Sequence, residues 1–330
     1  MNSPHHTVLV PGAAAPAGIN TIKSLKMANF SGKVIGTDSD SLAAGAFLAD
    51  LFSVMPEAKE KSLFVDKLFE LVKAHRITVL MPSSGFDIYQ YSKYRKELQE
   101  FGAYAVVSDI AVLEDCQDKM RTFQKLSPRF KVPFTTTESE KIPSLPIIAK
   151  PRFGKGSKDV MMIKNESDLR FVTRGYRDMI FQQYLPGTEY TVDVLSDLYK
   201  EPLFAVPRIR LQTKDGISTR GKIVHDHRIE EDCMNIAKTL GIRGPSCIQM
   251  KETEDGEPQL VEVNARLGGG TIFTTLAGAN IPALIMDLVN GKKISIPKIS
   301  EITVIRYFEE IVVHDHLERQ SSPEPITHTG

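Results

Sequence analysis

The sequence predicts an α/β unit followed by an α+β unit, on three observations. In the first hundred residues, short apolar segments alternate with helix-like segments, which is the pattern of a parallel sheet covered by helices. From about residue 130 onward, apolar runs come in pairs separated by short turns, as in antiparallel sheets. With 330 residues, the chain is long enough for two or three domains that each bury a core.

The elements of the first unit alternate as a parallel sheet requires. Strands are predicted at 7–10, 33–38, 78–82 and 103–108, and helices at about 19–28, 63–74 and 112–126. Ser62 and Asp109 stand before the second and third helices, where a side-chain oxygen caps backbone N–H groups. The alternation ends near residue 110, so we place the first domain boundary there.

The second unit is richer in hairpin-like pairs. Strands are predicted at 146–151, 159–164, 180–187, 189–195, 202–209 and 303–313, and helices at about 167–175 and 229–240. Residues 318–330 are polar and lack a periodic apolar pattern, which is typical of a flexible tail.

The composition excludes several classes of function. The chain has 41 Lys and Arg against 41 Asp and Glu, so no overall charge attracts nucleic acid or an anionic membrane. Its three cysteines are widely spaced, which argues against a zinc site or a disulfide framework. No signal-peptide pattern and no transmembrane-length apolar run is present. We therefore expect a cytoplasmic protein that binds neither nucleic acid nor membrane.

Two glycine-containing turns are candidates for anion binding. Residues 11–18 (PGAAAPAG) join a strand to a helix, and Asp38 follows the second strand, so a degenerate dinucleotide site and a tightly packed turn are both possible interpretations. Lys150 ends an apolar run and is followed by the basic loop 153–160 (FGKGSKDV). Such a loop suits phosphate binding, although a hairpin with a solvated tip fits the same pattern.

The segment 247–266 gives the sharpest pattern in the chain. Asp255-Gly256 is a strong hairpin signal, and a turn centred there places Gln249 directly across from Glu262. Glu262, Asn264 and Arg266 then share one strand face, and Val261 and Val263 point to the other face. Such oxygen donors beside a guanidinium suit Mg²⁺-phosphate chemistry. The alternative is an ordinary solvent-exposed polar face.

The basic segment 208–227 collects Arg208 and Arg210 with three further cations around two glycines. It fits either a solvated loop or a lid that closes over an anionic substrate. His225 and His227 lack a third ligand at metal spacing, so we expect them to cap the following helix.

Six motifs, in order along the chain, resemble the ATP-grasp superfamily. They are DKMRTF (118–123), IIAKP (147–151), FGKGS (153–157), QQYLPGTEY (182–190), CIQM (247–250) and LVEVNARLGGG (260–270). The resemblance is to stand-alone ligases similar to half of a carbamoyl-phosphate synthase large subunit and to the pyrrolysine-pathway amino-acid ligase. It implies a Rossmann-like pre-ATP-grasp domain (1–110) followed by an ATP-grasp fold with two α+β subdomains. These would be a lid subdomain with a linker helix (111–185) and a C-terminal subdomain (186–317).

The resemblance also implies a role for each matching residue. Lys119 and Lys150 would hold the ATP phosphates under a flap formed by Gly154, Lys155, Gly156 and Ser157. Gln183, Tyr184 and Leu185 would contact adenine, Glu189 the ribose, and Gln249, Glu262 and Asn264 the metal. Arg266, with Lys150, would be catalytic, and Arg208, Arg210, Arg266, Gly268 and Gly269 would face the second substrate. Many relatives carry an acid where Gln249 and Gln183 stand, so the metal would rest mainly on Glu262 and Asn264.

The implied function is ATP-dependent ligation of a small carboxylic acid or amino acid to an amine. The acid would be activated as an acyl phosphate, with ATP and Mg²⁺ (or Mn²⁺) as cofactors and ADP as product. Alternatives are phosphorylation of bicarbonate or carbamate, a nucleotide-binding sensor without turnover, and an NAD(P) oxidoreductase based on the first turn alone. The expected partners are small-molecule carboxylate and amine substrates and a second copy of the chain in a homodimer.

Overall fold

The first unit in the computed structural model, which describes residues 6–154, 156 and 158–313, is a five-stranded parallel sheet. Its strands are β1 (Thr7–Pro11), β2 (Lys33–Asp38), β3 (Leu51–Val54), β4 (Val79–Leu80) and β5 (Tyr104–Ala105). The order β3-β2-β1-β4-β5 confirms the predicted parallel sheet. The strand β3 was missed because it is short and only half buried.

Helices cover this sheet much as the alternation predicts. They are α1 (Pro16–Met27), α2 (Lys61–His75), α3 (Ile88–Lys93), α4 (Arg95–Glu100) and α5 (Ile110–Gln117). The prediction that Ser62 caps α2 is wrong, since α2 begins one residue earlier, at Lys61. Asp109 does occupy the N-cap of α5, but its carboxylate pairs with Arg95 and Lys200 instead of backbone N–H groups.

The helix predicted over 112–126 is two helices, α5 and α6 (Lys119–Leu126), that meet at Asp118. Asp118 has extended backbone angles, and its carboxylate accepts hydrogen bonds from the backbone N–H groups of Met120 and Arg121. A side-chain cap of this kind starts a new helix, so Lys119 becomes the first residue of α6.

The second unit contains two antiparallel sheets, as the paired apolar runs predict. The smaller has the order β6-β9-β7-β8 and is formed by β6 (Thr135–Thr136), β7 (Ile147–Pro151), β8 (Met161–Ile163) and β9 (Met179–Gln183), with α7 (Glu166–Gly175) between the last two. The larger has the order β14-β13-β10-β11-β12-β15. Its strands are β10 (Glu189–Ser196), β11 (Pro202–Lys214), β12 (Ile217–Ile223), β13 (Pro245–Glu252), β14 (Pro258–Asn264) and β15 (Thr303–Ile305). The remaining helices are α8 (His227–Leu240), α9 (Thr271–Leu276) and α10 (Ile281–Val289).

Three predictions for the larger sheet are wrong. The segment 208–227 is mostly the hairpin β11–β12, whose turn has positive φ at Asp215 (50°) and Gly216 (75°). Such angles are those of a tight hairpin turn, and Asp-Gly supplies them. The side chain of Asp226, and not a histidine, caps α8. The last strand ends at Ile305, because β12 pairs with it over three residues only.

Two apolar clusters join the parallel sheet to the larger antiparallel sheet. One of them contains Leu9 and Phe64 of the first unit together with Val192, Ile248 and Val263 of the second. The two units are therefore packed against each other. This packing orients β13 and β14 relative to the first unit. Among the described helices, none is both long and apolar enough to cross a membrane.

Candidate active site

A cavity of about 200 Å³ lies between the two antiparallel sheets. Ten of the residues proposed from the sequence line it: Lys119, Lys150, Gly154, Gly156, Gln183, Tyr184, Leu185, Glu189, Gln249 and Glu262. They come from α6, β7, the loop after β7, the β9–β10 connection and the β13–β14 hairpin. The fold thus brings together residues that are up to 143 positions apart, from 119 to 262. Lys155 and Ser157 lie outside the described residues.

Lys150 is a buried cation of the cavity whose pKa is lowered. Its side chain is only 5% exposed, and its Nζ donates to the Val261 carbonyl at 3.3 Å and lies 5.6 Å from the Phe123 ring centroid. It forms no ion pair with any described carboxylate, since Glu262 pairs with Lys119 instead. Burial lowers the pKa of Lys150 to about 8, although the charge of Glu262 acts in the opposite direction. A buried ammonium without a carboxylate partner is a site that an anion stabilises.

Lys119 contacts the start of the glycine loop at Gly154. Its Nζ donates to the Gly154 carbonyl at 3.1 Å and lies 3.8 Å from a carboxylate oxygen of Glu262. This position follows from the break at Asp118, which makes Lys119 the first residue of α6. The two lysines therefore approach the same space from different elements.

The β13–β14 hairpin places Gln249 directly across from Glu262, as predicted. The turn differs from the prediction, however, because the last paired residues are Glu252 and Pro258, which leaves a loop at 253–257. A bulge at Val261 adds one residue to β14 and restores the predicted pairing at Glu262. Val261 is half buried and lines the cavity with Glu262, while Val263 is buried in the core, so the two valines do not share a face.

Asn264 and Arg266 line a smaller cleft on the far side of Glu262. This cleft shares Gly154 and Glu262 with the main cavity. The Arg266 guanidinium donates to the Leu267 carbonyl at 2.8 Å and to the Asn264 side-chain oxygen at 3.3 Å. The candidate metal ligands Gln249, Glu262 and Asn264 therefore span the junction between the two spaces.

The β9–β10 connection contributes Gln183, Tyr184 and Leu185 to the cavity, and Glu189 follows at the start of β10. Leu185 is buried, and the Lys251 ammonium lies 5.7 Å from the Tyr184 ring centroid. The Gln183 side chain lies 3.4 Å from the Phe134 amide nitrogen, which donates to it. Glu189 is held by an ion pair of 3.0 Å with Arg210.

Arg208, Arg210, Gly268 and Gly269 do not line either space. Arg208 is buried, donates to the Ser218 hydroxyl at 3.0 Å and lies 5.1 Å from the Phe273 ring centroid. Arg210 forms an ion pair with Glu189 and donates a hydrogen bond to the Gly216 carbonyl. It therefore contacts a residue that lines the cavity without lining it itself. The contact of these four residues with a second substrate stays a prediction.

The turn at 268–270 joins the second unit to the first. The Gly269 carbonyl accepts hydrogen bonds from Asn20 of α1, at 2.8 Å, and from Arg306. A side chain at Gly269 would first meet Pro16, at 3.6 Å, at the start of α1. This turn therefore lies against the first unit, where the second substrate was expected.

The turn at 11–18 makes close contacts within the first unit. The Ala14 amide donates to the Asp38 carboxylate at 2.8 Å, and a side chain at Gly18 would collide with the Gly12 carbonyl. The glycine at 18 is thus needed for close packing, which favours the tight-turn interpretation over a dinucleotide site.

Sequence reasoning assigned no role to several residues that line the cavity: Ile148, Pro151, Val160, Gln182, Lys251 and Val261. Lys158 also lines it and belongs to the basic loop that the sequence suggested for phosphate binding. Ile148 and Lys251 lie two positions from Lys150 and Gln249 on the same strands, so strand alternation was a signal for both. Val261 had no such signal, because only the bulge turns it toward the cavity.

Comparison with known proteins agrees with this arrangement. The family described as ATP-grasp in the biosynthetic pathway with Ter operon matches residues 175–311. A D-alanine–D-alanine ligase of Fusobacterium nucleatum subsp. nucleatum is 26% identical over 268 residues, covering 78% of this chain and 87% of that protein.

Two solved structures show the same fold at low sequence identity. The biotin carboxylase complex with β,γ-ATP from Campylobacter jejuni has a TM-score of 0.70 at 14% identity, covering 89% of this chain and 73% of that one. The L-amino acid ligase from Bacillus licheniformis has a TM-score of 0.65 at 14% identity, covering 87% of this chain and 74% of that one.

Proposed function

We propose that the chain is a carboxylate–amine ligase of the ATP-grasp superfamily that activates a small carboxylic acid or amino acid as an acyl phosphate. ADP and phosphate are the other products. The observation that carries the proposal is Lys150, a buried ammonium that faces the cavity without an ion-pair partner among the described residues. ATP phosphates supply the missing negative charge.

The residues of the cavity fit MgATP. The side-chain oxygens of Gln249, Glu262 and Asn264 are hard ligands of the kind that Mg²⁺ prefers, and they would hold it. The metal supplies charge neutralisation for the phosphate oxygens. Lys119 and Lys150 would hold the phosphates beneath the loop at 154–157, while residues 183–185 and Glu189 would hold adenine and ribose.

The acid is proposed to bind in the smaller cleft, beside Asn264 and Arg266. Its carboxylate oxygen attacks the γ-phosphorus, and the bond from that phosphorus to the ADP oxygen breaks. The Arg266 guanidinium neutralises the charge that develops on the transferred group. A neutral amine then attacks the acyl carbon, phosphate leaves with the bonding electrons, and the amine loses a proton to solvent.

Positioning and charge neutralisation account for this chemistry without a protein nucleophile. That is consistent with a site whose members are cations, oxygen donors and backbone turns. The residues that line the smaller cleft are therefore the ones proposed to select the acid.

The proposal is tested by ADP release from MgATP with hydroxylamine present, across a panel of amino acids, dipeptides and bicarbonate. Formation of a hydroxamate with one carboxylate supports the ligase and identifies the acid. ADP release with bicarbonate alone would replace it with the carbamoyl-phosphate-like reaction. MgATP binding without ADP release from any acid would replace it with a sensor that does not turn over.

A further inference from the structure

The two phosphate-binding lysines are carried by different elements, and one charged pair ties these elements together. Arg152, two residues after Lys150, donates from Nε and from a terminal nitrogen to both carboxylate oxygens of Asp118, at 2.7 and 2.6 Å. Asp118 directly precedes Lys119. The pair therefore links the end of β7, where the glycine loop begins, to the start of α6.

The backbone follows the same connection. The Lys119 amide donates to the Arg152 carbonyl at 3.3 Å, and the Lys119 ammonium donates to the Gly154 carbonyl at 3.1 Å. Two side-chain bonds and two bonds from Lys119 thus join Arg152 and Gly154, at the root of the loop, to the N-terminus of α6. Bidentate Arg–carboxylate pairs add geometric specificity to their energy.

The environments of the two partners differ in a way that suits a positioning role. The Asp118 side chain is 5% exposed, whereas the Arg152 side chain is 34% exposed. Asp118 also accepts hydrogen bonds from two backbone N–H groups of α6. The Arg152 hydrogen bonds and charge lower the pKa of Asp118 against the effect of its burial. Removing Arg152 leaves the cap of α6 in place, so the helix can persist while its link to the loop is lost.

We propose that Asp118 and Arg152 are positioning residues that set Lys119 against the root of the glycine loop for nucleotide binding. The inference rests on the proposed function only in taking the main cavity as the nucleotide site. Neither residue lines that cavity, so both act through Lys119 and the loop at Gly154. Loss of the pair should weaken MgADP binding by about tenfold, because small displacements of a charged group are costly.

A matched control lies on the same helix. Arg121 forms an ion pair of 2.6 Å with Asp115, is half exposed and has no contact with the glycine loop in the described residues. Arg121→Gln therefore removes a similar surface pair without touching the link. Arg152→Lys should give an intermediate affinity, because an ammonium restores the charge but not the two parallel bonds.

The experiment is calorimetric titration of MgADP into the full chain, its Arg152→Gln, Arg152→Lys and Arg121→Gln variants, and Arg152→Gln combined with Lys119→Met. Arg152→Gln should raise Kd about tenfold and Arg121→Gln less than twofold, with similar small changes in Tm. In the Lys119→Met background, Arg152→Gln should change Kd less than twofold, since the lysine through which it acts is absent.

Equal losses with and without Lys119, or equal effects of Arg152→Gln and Arg121→Gln, would overturn the inference and leave a structural role only. An unchanged Kd in Arg152→Gln beside clear binding by the native chain would overturn it as well. Absence of MgADP binding by the native chain would overturn the proposed function and this inference with it.

Discussion

The cavity has two walls that are built differently. The lysine wall (Lys119 and Lys150) comes from a helix start and a strand end that are separate in sequence, and it is held by tertiary contacts such as Asp118–Arg152. The oxygen wall (Gln249 and Glu262) comes from one hairpin, where direct cross-strand pairing sets the geometry. The oxygen wall is thus secured locally, and the lysine wall depends on the packing of distant elements.

The largest effect is expected from Glu262→Gln on the oxygen wall. Loss of the only carboxylate among the three proposed metal ligands should lower ADP release by about 10²-fold or more. Glu257→Gln is the matched control, because Glu257 lies in the loop of the same hairpin and pairs with Lys131 outside the cavity. Retention of more than a tenth of the native rate by Glu262→Gln would remove the oxygen wall from the mechanism.

Lys150→Met tests the lysine wall. The change should raise the Kd for MgADP by about 10²-fold, because a charge-assisted contact inside a low-dielectric site is lost. The Tm should rise, because a buried and unpaired ammonium is replaced by an apolar side chain of similar size. Calorimetric titration and thermal unfolding measure the two effects. A fall in both affinity and Tm would indicate that Lys150 is held by structural contacts instead.

The lowered pKa of Lys150, about 8, predicts opposite pH trends for binding and stability. Only the ammonium form binds phosphate, so MgADP affinity should fall above pH 8, by up to about tenfold per pH unit for one required proton. Between pH 8 and 10.5 the unfolded chain holds more protons at this residue than the folded chain, so its contribution to stability rises with pH. Titrations from pH 7 to 10 check this, and the same fall in Lys150→Met would contradict it.

The smallest effect is expected from Gln249→Glu. A second carboxylate across from Glu262 adds a charged ligand, so the affinity for Mg²⁺ should rise by roughly three- to tenfold. The Mg²⁺ concentration needed for half-maximal MgADP binding measures it. A lower affinity would mean that the two carboxylates repel each other without a metal between them, and Gln249 would then leave the proposed ligand set.

The sequence predicted the oxygen wall better than the lysine wall, for the same reason that separates them in the structure. Gln249 and Glu262 are joined by a hairpin whose turn residues and alternation are local signals. Their pairing was predicted through a turn that differs from the real one, and the bulge at Val261 corrected the difference. Bulges have no reliable single-sequence signal.

The lysine wall needed information that the sequence pattern does not hold. Lys119 was assigned only through the resemblance, because the helix over 112–126 looked continuous. Its break lies at Asp118, whose carboxylate caps α6. In the same way, the hairpin at 208–227 was taken for a loop, although Asp215-Gly216 has the turn signal used at 255–256. Charged residues on its exposed strands hid the alternation.

The parallel sheet and the antiparallel sheets were predicted from periodicity, and the resemblance to ATP-grasp proteins from motifs. The short strand β3 and the early end of the last strand were not, because both depend on which neighbour offers hydrogen-bond partners. The domain divisions at 110, 185 and 317, the roles of the single site residues and the homodimer stay predictions.

The central claim is that a carboxylate oxygen attacks the γ-phosphorus of ATP held between the two walls. The most direct measurement is transfer of ¹⁸O from the carboxyl group of the accepted acid into inorganic phosphate during ligation, read by mass spectrometry. Attack by the carboxylate predicts one labelled oxygen in each phosphate released. Phosphate without label, formed at the rate of ligation, would contradict it.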